Sequence, residues 1–199
     1  MIHPKNKSKL VFATNNAHKF KEIRDILTNQ IELLSLADIG FSDEIPEDHE
    51  TLEENAAQKA YFIYNKFGID CFSDDTGLEI EALNGAPGVY SARYAGEKCT
   101  FDDNMNLVLR NMAGIENRKA KFRTVIALVE KGKLVNFEGA VRGTITQEKI
   151  GNSGFGYDPV FIPEGYNRTF AEMALTEKNL ISHRALAVKE FAKYVLSHL

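Results

Sequence analysis

The sequence predicts an α/β fold built on a long central mixed β-sheet with flanking helices, and three observations carry that prediction. A strand–helix–strand pattern opens the chain, amphipathic helical stretches follow, and two long β-branched segments flank a short turn beyond residue 120. With 199 residues and 44% hydrophobic content, the chain can bury the core of one large domain or two small lobes.

"LVFA" (10–13) reads as a short buried strand. In "AHKFKEIRDILT", Phe20, Ile23 and Ile26/Leu27 recur at helical spacing, and "IELLSL" (31–36) returns as a second strand. Such a unit has a right-handed crossover and parallel strands, and ligands collect at the strands' carboxyl ends. Thr14 to Lys19 falls at that end, where the free N–H groups of a helix N-terminus attract anions. An acidic, turn-like segment "SDEIPEDHE" (42–50) precedes a helix from about 51 to 67, with Thr51-x-x-Glu54 as a capping box and Gly68 as its stop. The run "CF" predicts a strand ending at Asp74 and Asp75, followed by a Gly-rich turn in "TGLEIEALNGAPG".

"TFDDNMNLVLRNM" (100–112) predicts a helix with Met105, Val108/Leu109 and Met112 on one face, Gly114 following its end. Residues 121–146, centred on "KGK", predict an antiparallel hairpin of two long strands. "SHRALAVKEFAKYVLSHL" closes the chain as a helix capped by Ser182, with Val188, Phe191/Ala192, Val195 and Leu199 facing inward.

A formal charge of −4 argues against a chain whose main task is gripping a nucleic-acid backbone. Cys71 and Cys99 lie far apart with no nearby His pair, so neither a zinc site nor a disulfide framework is expected. The N-terminal apolar stretch is too short for a signal-peptide core, and no run reaches the ~18 residues of a membrane-spanning helix. The expectation is a soluble cytoplasmic protein with reduced thiols and neither a nucleic-acid nor a membrane partner.

Three constellations can carry chemistry. Glu47 with Asp48, and Asp74 with Asp75, offer oxygen ligands suited to Mg²⁺ or Mn²⁺. Taken alone, such acidic pairs are more often solvated or capping. Lys19, Lys59, Arg93, Lys178 and His183-Arg184 form a scattered basic set; a helix beginning near Thr51 can aim Lys59 back at the acidic loop. Gathered around a helix N-terminus they would cradle a polyphosphate, without a Walker pattern. In "GNSGFGYDPVF" (151–161), Phe155 is either a ring for stacking on a base or a plug for the core. His183 reads as readily as a polar helix-start residue, and His18 as exposed.

Read together and in order, "ATNNAHKFKEI", "EENAAQKA", "SDDTGLEIEALNGAPGVYSARYAG", "GFGYDPVF" and "EKNLISHR" resemble the inosine triphosphate pyrophosphatase family over residues 10–196. The resemblance implies a Mg²⁺-dependent hydrolase, with Mn²⁺ as a substitute. It would cleave dITP, ITP and XTP to the nucleoside monophosphate and pyrophosphate, as a homodimer of single-domain chains with two lobes around an active-site cleft. It implies triphosphate contacts from Thr14, Asn15, Asn16, Ala17, His18 and Lys19, with Lys59 facing the phosphates and Thr76 touching the substrate. It makes Glu47 and Asp75 the metal ligands, with Asp75 or the adjacent Asp74 positioning the attacking water. Phe155, Gly156, Tyr157 and Asp158 would read the base, joined by Lys178, His183 and Arg184. The residues by themselves leave open a nucleotide-binding module without turnover, or a pyrophosphatase for other nucleotides.

Overall fold

The structure, a computed structural model, describes residues 9–27 and 31–198. Residues 1–8, Thr28 at the end of the first predicted helix and Leu199 lie outside the described residues.

The opening unit forms as expected. β1 (Lys9–Phe12) passes through α1 (Ala17–Ile26) to β2 (Glu32–Leu34), and the strands run parallel with Leu10 opposite Leu33. Ile23 and Leu27 are buried where the helical spacing puts them. α2 (Leu52–Phe67) starts at Thr51, whose hydroxyl accepts the Glu54 N–H, and stops at Gly68 in the left-handed region (φ 66°). The box is not reciprocal: the Thr51 hydroxyl donates to the Glu54 carboxylate at 2.8 Å.

β3 (Cys71–Ile80) corrects the sequence reading, because it does not end at the acids. Asp74 and Asp75 lie in its middle, and the strand runs on through Gly77. Its partner is what ends there: β1 pairs in parallel with β3 at Val11↔Cys71 and Phe12↔Phe72 and then leaves. The acids therefore sit beyond the carboxyl end of β1. A Cβ on Gly77 would lie 2.6 Å from the Gly88 carbonyl oxygen. This glycine serves the close approach of β4 (Pro87–Gly88) to β3 in antiparallel pairing, rather than a turn around a ligand.

α3 (Phe101–Asn111) carries a full Thr100/Asp103 capping box and buries Met105 and Val108. β5 (Lys119–Glu130) and β6 (Lys133–Ile145) form the predicted hairpin, turning on Lys131 (φ 49°) and Gly132 (φ 78°). β7 (Phe161–Pro163) pairs antiparallel with β6. α4 (Leu175–Ile181) was not foreseen; it precedes α5 (His183–His198), where the Ser182 hydroxyl accepts the Ala185 N–H at 3.1 Å as the expected cap. The sheet order β2-β1-β3-β5-β6-β7, with β4 on β3, mixes parallel and antiparallel pairs as predicted.

The chain divides into two compact units. The first comprises residues up to Asp75, Val125–Phe137 and Ala187 onward, and the second Thr76–Thr124 and Glu138–Leu186. Each owns a core. In the first, Phe12, Phe72, Ile126, Val188 and Phe191 pack with Ile23 and Leu27; in the second, Leu78, Ile80, Val108, Phe122, Tyr157, Phe161 and Phe170 pack together.

Candidate active site

Alternation along β3 organises the first unit's cluster. Cys71 and Ser73 donate to the carbonyls of Ala60 and Ala56 on α2, whereas Phe72, between them, stacks on Phe12 and meets Phe191. Successive strand residues face opposite ways, so two adjacent aspartates must diverge. Asp74 Oδ1 meets Lys19 Nζ of α1 at 3.1 Å, and Asp75 Oδ1 meets Lys59 Nζ of α2 at 3.6 Å.

Lys59 also donates to Glu47 Oε1, as the spacing from Thr51 suggested. Asp48 is engaged elsewhere: its N–H and carboxylate both bond the Gln58 amide at 3.0 Å. Burial pulls the Lys59 ammonium down, but Asp75, Glu47 and Asp74 outweigh it and raise its pKa, so it stays charged. At Asp75 burial prevails instead, lifting its carboxyl above the usual range despite Lys59 and Lys19.

At the start of α1, Asn16 is the N-cap, its Oδ1 accepting the His18 and Lys19 N–H groups at 3.0 and 3.2 Å. These two donors were expected to be free for an anion, and the cap takes them because an Asn side chain competes well for the first-turn amides. Thr14 Oγ1 accepts the Asn16 N–H, Asn15 donates to the Asp43 carbonyl, and Ala17 and His18 are exposed.

The second unit gathers a different set. Asp158 and Lys178, 2% and 3% exposed, form an ion pair at 2.7 Å, and Asp158 Oδ2 also accepts the Phe155 N–H at 2.9 Å. A Cβ on Gly154 would lie 2.1 Å from that same oxygen, so only glycine lets the loop close on the carboxylate. Phe155 is half-buried, with the Lys178 ammonium 4.9 Å and the Arg184 guanidinium 5.5 Å from its ring centre. The core plug is Tyr157 instead: 4% exposed, it donates its hydroxyl to the Ser91 carbonyl, and burial raises its pKa. Gly156, between them, has φ 64°. His183 is buried and stacks on Phe122, with ring centres 4.5 Å apart. Buried Arg184 donates to Thr76 Oγ1 at 3.2 Å, and Arg93 lies over the Tyr90 ring.

The sequence reading missed Thr124, fully buried on β5 with its hydroxyl 2.7 Å from that of Thr76. A lone hydroxyl in the apolar run "VIALV" and its flank was the available signal. A cavity of about 740 Å³ in the second unit, lined by Glu79, Lys121, Arg142, Ile162 and Tyr166 among others, contains none of the predicted site residues.

No group of three or more His, Cys, Asp or Glu is gathered as a metal cage among the described residues. Glu47 and Asp75 nevertheless converge on one cation, the Lys59 ammonium, with oxygen donors only. That donor set fits Mg²⁺, which is usually held by one or two carboxylates and completed by water and substrate phosphates. Both cysteines are free, and no described helix is long and apolar enough to cross a membrane.

The fold is a mixed-sheet α/β one, with a carboxylate–lysine cluster in the first unit and an aromatic–cation cluster in the second. The chain belongs to the Ham1 family, whose model matches residues 10–194. The dITP/XTP pyrophosphatase of Porphyromonas gingivalis is 52% identical over 189 residues, covering 94% of this chain and 97% of that protein. That of Flavobacterium johnsoniae is 52% identical over 182 residues, covering 92% and 95%. Among solved structures, the Staphylococcus aureus Ham1 protein superposes with a TM-score of 0.88 at 32% identity, covering 96% of this chain and all of that one. The Mycobacterium abscessus nucleoside-triphosphatase gives a TM-score of 0.76 at 39% identity, covering 92% and 98%.

Proposed function

We propose that the chain is a Mg²⁺-dependent pyrophosphatase of non-standard purine nucleoside triphosphates, dITP, ITP and XTP, releasing the nucleoside monophosphate and pyrophosphate. The observation that carries the reading is the divergence of Asp74 and Asp75 onto Lys19 and Lys59, with Glu47 sharing Lys59. Membership in a family with curated relatives named dITP/XTP pyrophosphatase supports it.

Lys19 and Lys59 neutralise the phosphates, and Thr14 with the exposed residues at the start of α1 borders them. Glu47 and Asp75 would hold the Mg²⁺, which would supply charge neutralisation at the phosphates and Lewis-acid activation. Asp75 orients the attacking water in line with the α-phosphorus. Asp74 keeps Lys19 in place.

Phe155 stacks on the base, and the Lys178 ammonium, aimed by Asp158, donates to the 6-oxo oxygen. Adenine puts an amino donor at that position, opposing a donor to the ammonium, so ATP is rejected. Tyr157 and His183 hold this arrangement from the core side, and Arg184 orients Thr76. The protein acts in the cytoplasm as a homodimer, sedimenting at twice the chain mass.

The test is pyrophosphate release with Mg²⁺ from ITP, XTP, GTP, ATP and dUTP side by side. We expect ITP and XTP to be preferred and Glu47→Gln and Asp75→Asn each to lose at least about a hundredfold, as removal of electrostatic catalytic groups does. GTP shares the 6-oxo group and reports what is read at position 2. Equal rates on ATP and ITP would refute the base readout. Metal-independent binding with no turnover would make the chain a nucleotide sensor.

A further inference from the structure

Lys59 stands where the reading above needs a different cation. The residue is 5% exposed, and its ammonium touches both carboxylates assigned to Mg²⁺, bonding Glu47 Oε1 and lying 3.6 Å from Asp75 Oδ1. A divalent ion held by the same two carboxylates would come within a few ångströms of the ammonium. Two cations at that separation repel strongly in a buried setting, so the ammonium and the ion exclude one another. A buried ammonium that gives up both carboxylates is left with Asp74, which already pairs with Lys19, and needs another anion, because an uncompensated buried charge is costly. The phosphates of a nucleotide are the anion the site is built to receive.

We propose that Lys59 is a resident counter-ion that blocks divalent-cation binding in the nucleotide-free protein and transfers to the polyphosphate when nucleotide enters. The cation and the nucleotide are then taken up together, and the cluster does not hold a cation while idle. Lys59 is in this sense a positioning residue for the metal ligands before it is a phosphate contact. The inference rests on the reading of Glu47 and Asp75 as metal ligands.

Lys59→Met and Lys59→Gln both remove the charge, the second keeping a donor for Glu47, while Lys59→Arg retains the charge. Binding of Mn²⁺ alone to the metal-free proteins is followed by the loss of its free-ion electron paramagnetic resonance signal, with folding checked by circular dichroism. If the ammonium leaves the site open about one-tenth of the time, removing it tightens Mn²⁺ binding about tenfold. We expect that gain in Lys59→Met and Lys59→Gln, none in Lys59→Arg, and its disappearance when Glu47→Gln is added. Either folded uncharged variant binding Mn²⁺ no more tightly than wild type overturns the proposal, as does a gain that survives Glu47→Gln. Should neither variant fold, tight Mn²⁺ binding by nucleotide-free wild type, at Kd below its Kd for ITP alone, overturns it, and weaker binding supports it. Pyrophosphate release by the same wild-type preparation separates the two readings: Mg²⁺-dependent release without the gain refutes the counter-ion alone, whereas no metal-dependent release refutes the reading beneath it.

Discussion

Replacing Asp158 by Asn removes one charge from the most enclosed ion pair of the second unit. Asp158 and Lys178 are 2% and 3% exposed, and Asp158 Oδ2 takes both the Lys178 ammonium at 2.7 Å and the Phe155 N–H at 2.9 Å. An amide oxygen still accepts the N–H, so the backbone bond is kept while the ammonium loses the Asp158 charge. The Phe155 and Phe170 rings, 4.9 and 5.8 Å from the ammonium, already face it in the wild type and supply no new compensation. Breaking a buried pair from one side costs about 3–5 kcal/mol. For a chain of this length, at about 2–4 °C per kcal/mol, that lowers Tm by roughly 6–20 °C. The assay is thermal unfolding by far-ultraviolet circular dichroism, with urea unfolding for the free energy. Adding Lys178→Met should recover most of the loss, giving a coupling of about 2 kcal/mol or more between the two sites. Melting of Asp158→Asn within about 2 °C of wild type would refute the pair as a buried, mutually dependent unit.

Four further outcomes follow from local geometry. Burial pushes the Cys71 thiol up to about 12 from 9.0, so the folded chain keeps a proton that the unfolded chain releases across that window. The stability linked to this thiol is therefore present below pH 9 and lost as pH rises through about 12, and Cys71→Ala should flatten that decline in urea unfolding at graded alkaline pH. In native protein at pH 8 a disulfide reagent should titrate Cys99, which is partly exposed, and reach buried Cys71 only after denaturation. Gly77→Ala places a Cβ 2.6 Å from the Gly88 carbonyl and should cost about 1–3 kcal/mol in urea unfolding. Thr100→Ala deletes the hydroxyl that accepts the Asp103 N–H at 3.1 Å and should cost about 1 kcal/mol by the same measurement.

How far the sequence reached depended on whether the information was local. Thr51 and Gly68 mark the ends of α2 because a cap and a left-handed stop are properties of a few consecutive residues. The hairpin at Lys131-Gly132 and the Ser182 cap were legible for the same reason. α4 escaped because seven residues are two turns, too few for a periodic signal. β3 was cut short because a strand with two acids in its middle contradicts the apolar pattern that identifies strands.

The sequence by itself determined the fold class, the ends of most helices and the ordered motifs that mark the family. It also supplied nearly all of the charged side chains of the two clusters. Only the tertiary structure decided their pairing: Asp74 with Lys19, Asp75 and Glu47 with Lys59, and Asp158 with Lys178. Pairing across 12 to 55 positions is set by which helix packs on which face of a strand. The period of two that sends adjacent aspartates apart acquires partners only when α1 and α2 are in place. The same holds for Tyr157 and His183, whose rings the core claims because Ser91 and Phe122 stand beside them only in the folded chain.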